Sequence, residues 1–135
     1  MYSRILVPTD GSTAAARGVR EAVALARTLN AELVVLHVLD DFPITGTLID
    51  SGHEILDKAA ELATAGGVAC KTVLHELATH RTANAIVERA AREHCDLIVM
   101  GTHGRKGIAR VVLGSDCEKV LRMSPVPVML VRELD

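Results

Sequence analysis

Glu32-Leu33-Val34-Val35-Leu36-His37-Val38 is apolar at consecutive rather than alternate positions. A strand of that kind buries both faces, as a central strand of a parallel sheet does when helices cover it on either side. Working outward, apolar runs alternate with amphipathic ones. Upstream, Arg4-Ile5-Leu6-Val7-Pro8 is a short strand closed by the turn Thr9-Asp10-Gly11-Ser12, and residues 13–30 follow as a helix. Val19, Val23, Ala26 and Leu29 share one face of it, with Arg17, Arg20, Glu21 and Arg27 largely elsewhere. Gly18 inside this helix costs about 1 kcal/mol relative to alanine, a cost that close packing of helix on sheet would offset.

Downstream, a loop over 40–46 contains Pro43 and the only phenylalanine, Phe42. The helix expected over 47–65 carries Leu48, Ile55, Leu62 and nearby alanines on its apolar side, and Gly66-Gly67 stops it. The third strand, over 68–77, is more polar and more alternating, which suits a position nearer an edge. A helix over 81–94 turns Ala83, Ile86, Val87 and Ala90 inward and pairs Glu88 with Arg92 at i,i+4 spacing. Asp96-Leu97-Ile98-Val99-Met100 is the fourth strand. The last helix runs over 115–123, with Ser115 and Glu118 spaced as a capping box. Ser124-Pro125 ends it, and Val126-Pro127-Val128-Met129-Leu130-Val131-Arg132 is the fifth strand, its early proline easiest to place in an edge strand or at a strand's first residues. Every link is long enough to cross over. The expected fold is therefore α/β: one domain over 1–135 with an open five-stranded parallel sheet and helices on both faces, Rossmann-like in type. Such sheets bind ligands beyond the strands' carboxyl ends, where strand order reverses. If the first and fourth strands are neighbours there, Asp10 and the glycines that follow Met100 share a cleft.

The composition fits this architecture. The 135 residues suffice for one domain that buries about two-thirds of its unfolded surface. Hydrophobic residues make up 49% and aromatics 1%, so the core is aliphatic. A net charge of −2 argues against a general nucleic-acid binder. No apolar run approaches the length of a membrane span, and the N-terminal residues lack the features of a signal peptide. A cytoplasmic protein is expected. The three cysteines, Cys70, Cys95 and Cys117, form no Cys-x-x-Cys motif and are expected reduced and mostly buried. The six histidines form no metal-binding pattern.

The candidate chemistry lies in Gly101-Thr102-His103-Gly104, nine further residues, and Gly114-Ser115. Glycines at a strand's end let backbone N–H groups approach a ligand, and the first N–H groups of a helix favour negative charge. With Arg105, Lys106 and Arg110 between them, these pieces suggest a phosphate cradle. The alternative is a glycine-rich loop with an ordinary helix cap. Asp10, after Pro8 and Thr9, reads either as a carboxylate for a sugar hydroxyl or as a turn residue. Val38 offers a backbone amide and carbonyl to a purine edge, and is also a plausible core valine. His103 is either a hydrogen-bond donor in the loop or solvent-facing. The Gly-Lys-Ser/Thr ending of a P-loop is absent, and so is a nucleophile elbow. A dinucleotide fingerprint would follow the first strand, not the fourth. A receiver domain would need an acidic pair after the first strand and an aspartate ending the third, where this chain has His75-Glu76.

Over essentially its whole length the chain resembles the universal stress protein family. The matching segments are Ile5 to Ser12, Leu36-His37-Val38, Asp96 to Arg105, Gly114-Ser115 and Pro125 to Arg132, and the family pattern Gly-x2-Gly-x9-Gly-(Ser/Thr) is met in full. The resemblance implies an adenine nucleotide α-hydrolase-like fold, the ATP-binding branch of the family, and dimerisation through the last strand. It implies ATP as ligand, with Mg²⁺ as an optional companion, and a stress-response sensor or switch. Pro8, Thr9 and Asp10 would line the cleft, with Asp10 on the ribose. Val38 would take the adenine edge, with Met100 and Gly101 beside it. His103, Gly104, Arg105, Gly114 and Ser115 would surround the phosphates, Ser115 also capping its helix. Asp116 departs from the neutral residue common in relatives and would compete with phosphate for the same N–H groups. A slow ATPase and a ligand-free dimeric scaffold remain open beside this reading.

Overall fold

The computed structural model describes residues 1–76, 81–102 and 114–133. Strands β1 (Arg4–Pro8), β2 (Glu32–Leu39), β3 (Cys70–Glu76), β4 (Leu97–Thr102) and β5 (Val128–Arg132) form one parallel sheet in the order β3-β2-β1-β4-β5. Between them run helices α1 (Thr13–Leu29), α2 (Gly46–Ala65), α3 (Thr82–Arg92) and α4 (Ser115–Met123). The first three strands step outward from β1 to the β3 edge. The chain then returns to the other side of β1 and steps outward again to β5, so order reverses between β1 and β4. The expected α/β architecture is present, with the more polar third strand and the proline-led fifth strand at the two edges. β5 begins after Pro127, which has no N–H to give the ladder, although its carbonyl accepts from Ile98 N–H at 3.0 Å.

Two aliphatic cores follow from the period-2 alternation of side chains across the sheet. Ile5, Val7, Leu33, Val35, Leu97 and Val99 face α1 and α2. Leu6, Val34, Leu36, Ile98 and Met100 face α3 and α4. α3 buries Ala83, Ile86 and Ala90 as its periodicity requires, and Glu88 pairs with Arg92 at 3.9 Å. In α2 the buried stripe is Gly52, Leu56, Ala59 and Ala63. Leu48, Ile55 and Leu62 flank that stripe instead of forming it, because small residues let the helix lie closer to the sheet than leucine-sized ones would. Cys95 and Cys117 are buried, Cys70 is half-buried, and all three are free thiols.

α1 lies on the reversal point itself. Gly18 approaches the backbone of Gly101 so closely that a Cβ on it would stand 2.6 Å from the Gly101 nitrogen. A Cβ on Gly101 would in turn collide with the Ala14 carbonyl. Two glycines thus permit a backbone-to-backbone helix–strand contact, which is the physical use of Gly18 anticipated from its helical position. Gly101→Ala is expected to destabilise the protein by about 3 kcal/mol or more, since neither backbone can yield without moving the helix, and chemical denaturation is the check.

Candidate functional site

The turn between β1 and α1 is built by its own side chains. Thr9 N–H donates to the Leu36 carbonyl at 2.8 Å, extending the β1–β2 pairing one residue past Pro8. Thr9 Oγ1 accepts Gly11 N–H at 3.2 Å, and Asp10 Oδ1 accepts Ser12 N–H at 2.9 Å. Ser12 caps α1 by accepting Ala15 N–H at 3.2 Å. Gly11 has φ +83° and faces Ile55, so glycine is required there by both backbone and space. Burial pushes the Asp10 carboxyl up. Hydrogen bonds from the Ser12 side chain and backbone, a bond from its own amide and the neighbouring His37 outweigh that and hold it below the ordinary value. Asp10 is thus an ionised acceptor near neutral pH.

Val38 is exposed to the cleft through its backbone. Peptide groups of a parallel strand point to its two neighbours in turn. Leu33 N–H goes to Ala69 on the β3 side, whereas Glu32 N–H goes to Ser3 and the Leu36 carbonyl accepts Thr9 N–H, both on the β1 side. Val38 shares that second phase, yet β1 has ended, its last residue Pro8 being in register with Leu36. The Val38 amide and carbonyl therefore open into the space beyond β1, while its side chain packs on the α3–α4 core. The core reading of Val38 holds for its side chain, and the residue also lines the cleft.

On the other side of the reversal stand the end of β4 and the start of α4. Gly101 must be glycine because α1 presses against it. Gly114 differs: it has φ −66° and a Cβ on it would meet nothing within 4 Å among the described residues. Gly114 is the N-cap of α4 and Ser115 its first helical residue, with no side-chain cap bond. The expected capping box on Ser115 is therefore absent: Glu118 N–H donates to the Gly114 carbonyl at 3.1 Å, one residue earlier than that reading requires. The Ser115 hydroxyl is not used as a cap. Asp116 and Glu118 put two carboxylates in the first turn of α4. Burial, and then the Asp116 charge, push the Cys117 thiol up, so it is a packing group rather than a nucleophile. The Thr102 hydroxyl, 4% exposed as a residue, makes no hydrogen bond of ordinary geometry among the described residues.

These elements enclose a cleft of about 590 Å³ at the carboxyl end of the sheet, a size suited to a small organic ligand. Pro8, Thr9, Asp10, Val38, Met100, Gly101, Gly114, Ser115 and Asp116 all line it. His103, Gly104 and Arg105 lie outside the described residues, as do Lys106 and Arg110. The walls also include residues that sequence reasoning missed. His37 Nδ1 lies 2.7 Å from the Thr9 carbonyl, and Thr82 Oγ1 donates to Asp40 Oδ2 at 2.8 Å across 42 positions of sequence. Leu48 and Ile55, displaced from the buried stripe of α2, form part of the apolar wall. His37 was legible as the polar interruption of an otherwise apolar strand. The Asp40–Thr82 pair left no signal, since only the sheet order brings the end of β2 to the start of α3. The described walls carry Asp10, Asp40, Asp41 and Asp116 but neither Lys nor Arg. Among the described residues, no group of three or more His, Cys, Asp or Glu is placed to hold a metal ion.

Comparison with known proteins agrees with this architecture. The universal stress protein family model matches residues 1–132. A universal stress protein of Methanocaldococcus jannaschii is 34% identical over 145 aligned positions, covering 98% of this chain and 84% of that protein. A crystal structure of a universal stress protein family member from Burkholderia pseudomallei superposes with a TM-score of 0.80 at 31% identity, covering 96% of each chain. A universal stress protein solved in complex with cAMP gives a TM-score of 0.76 at 26% identity over 97% of both chains. With the family model spanning nearly every residue and the same five-stranded sheet in its solved relatives, this chain belongs to the universal stress protein family.

Proposed function

We propose that this protein binds an adenine nucleotide, ATP in the first instance, in the cleft between β1 and β4, and that it works as a stress-response sensor or switch rather than as a robust enzyme. The observation that carries this reading is one of convergence. An ionised carboxylate (Asp10), an open backbone amide and carbonyl (Val38) and a glycine whose Cβ would meet nothing within 4 Å among the described residues (Gly114) meet in a single cleft at the strand-order reversal. Each matches one part of the ligand: the ribose hydroxyls, the adenine edge and the phosphates. The first N–H groups of α4 are short of acceptors and favour anions. The buried Thr102 hydroxyl stands in the same wall. Pro8, Thr9, Met100 and Gly101 are shape-forming in this reading, while Ser115 contributes its N–H and its uncommitted hydroxyl. His103, Gly104 and Arg105 are assigned to the phosphates on the family pattern alone. Mg²⁺ has a natural place as counter-ion to the phosphates, given the acidic walls. The cAMP complex of a relative supports an adenine-nucleotide ligand class.

We further assign the homodimer interface to the last strand, from Val126 to Arg132. β5 has one side unpaired in the sheet, and an unpaired apolar edge is usually covered. Met129 is 37% exposed on it, with Leu121 and Met123 of α4 also exposed nearby in sequence. No helix among the described residues is long and apolar enough to cross a membrane.

Gly114→Val tests the ligand assignment. By isothermal titration, ATP affinity is expected to fall more than about tenfold, equivalent to 1.4 kcal/mol. Folding stability should drop by only about 1 kcal/mol, the cost of a poor N-cap. Unchanged ATP binding would remove Gly114 from the site, and absence of binding by the parent protein up to millimolar ATP would remove the function. Asp116→Asn is expected to tighten ATP about three- to tenfold at low salt, less at high salt, and to leave adenosine unaffected, because one repulsive charge is deleted beside the phosphates. Met129→Glu is expected to shift the protein from dimer to monomer in light scattering at micromolar concentration; a parent protein that is already monomeric refutes the β5 interface.

A further inference from the structure

Among the cleft residues, His37 has a position that the nucleotide reading leaves without a task. It stands on β2 beside Val38, with its side chain on the opposite face of the sheet. Its Nδ1 is 2.7 Å from the carbonyl oxygen of Thr9. A carbonyl can only accept, so Nδ1 carries the proton and donates. In a regular parallel ladder the Thr9 carbonyl would take the Val38 N–H, the bond that follows from Thr9 N–H on the Leu36 carbonyl. The His37 ring donates to that carbonyl and so anchors the peptide immediately before Asp10. The ring is held from behind by α2, where a Cβ on Gly52 would stand 3.0 Å from His37 Cδ2. Glycine at 52 thus makes the room the ring needs.

We infer that His37 is a positioning residue for ribose recognition: its Nδ1–H bond to the Thr9 carbonyl sets the Asp10 carboxylate at the height of a ribose hydroxyl. The inference rests on the assignment of Asp10 to the ribose. It goes further in naming a residue that does not touch the ribose through its own polar atoms and acts through the peptide before Asp10.

The test compares adenosine with 2′,3′-dideoxyadenosine by isothermal titration on the full chain. The parent protein is expected to prefer adenosine by about tenfold, the scale of one well-made hydrogen bond to a charged acceptor. Asp10→Ala should abolish that preference. His37→Ala should abolish it too, and should hold dideoxyadenosine affinity within about threefold of the parent. His37→Asn, whose amide nitrogen can take the place of Nδ1, should retain most of the preference. A purely structural role would weaken both ligands alike in His37→Ala, and that result overturns the inference. So does a preserved preference in His37→Ala, or its loss in His37→Asn. A preference that survives Asp10→Ala overturns the ribose assignment and the inference with it, whereas loss in Asp10→Ala beside survival in His37→Ala overturns the inference alone. If His37→Ala does not fold, the dideoxyadenosine affinity and the preference of His37→Asn decide the matter by themselves.

Discussion

The approach of α1 to the end of β4, backbone against backbone at Gly18 and Gly101, is the constraint on which the cleft depends. With ordinary side chains at either position, α1 would stand off the sheet by the width of at least a methyl group, and the turn that carries Asp10 would move with it. The closeness is possible only because both Cβ atoms are missing: one would meet the Gly101 nitrogen and the other the Ala14 carbonyl. The cost of glycine inside a helix, about 1 kcal/mol, is offset by tight packing of α1 over β1 and β4. Packing at native density transmits small displacements rather than absorbing them, so a change at Gly101 reaches the cleft through the helix.

A strand-order reversal leaves the ends of β1 and β4 with no crossing connection between them, which is why an open α/β sheet binds there. This chain fills the opening with parts that differ in kind. The β1–α1 turn is rigid, held by four hydrogen bonds from its own short side chains and backbone. The β2 end contributes backbone, open because β1 stops two residues short of Val38 in register. The α4 start contributes N–H groups without a side-chain cap. Rigid acceptor, open edge and unsatisfied donors complement a ligand that presents hydroxyls, an amide-like base edge and anionic oxygens in that order.

The electrostatics of the walls are less favourable to a polyanion than the backbone is. Asp10, Asp40, Asp41 and Asp116 line the described part of the cleft. Asp10 has a use for its charge, and Asp40 spends part of its hydrogen-bonding capacity on Thr82 across the cleft. Asp116 has neither, and at the first turn of a helix it satisfies the same positive end that a phosphate would. In the proposed reading, charge at this position tunes affinity without altering the shape of the site.

Much of this was legible in the sequence. The consecutive apolar positions of β2 pointed to burial on both faces, the alternating and polar β3 to a place nearer an edge, and Pro127 to an edge strand or the start of a strand. Those are local properties of the chain, and they fix secondary structure and layer order with little help from context. The pairing of Asp10 with the segment after Met100 was legible only conditionally, on β1 and β4 being neighbours. Other points were decided by tertiary structure. Gly101 and Gly114 belong to one motif, but one is glycine for a helix and the other is not, because what lies opposite a missing Cβ is set by the fold. Leu48 and Ile55 carried the periodicity of a core stripe and became cleft wall once alanines and Gly52 drew α2 down onto the sheet. Ser115 had the spacing of a cap, and the helix began one residue before it required. The Asp40–Thr82 and His37–Thr9 bonds join residues 42 and 28 positions apart. Periodicity reports which face of an element is buried; only the completed sheet determines which elements meet, and hydrogen bonds between them follow from that meeting.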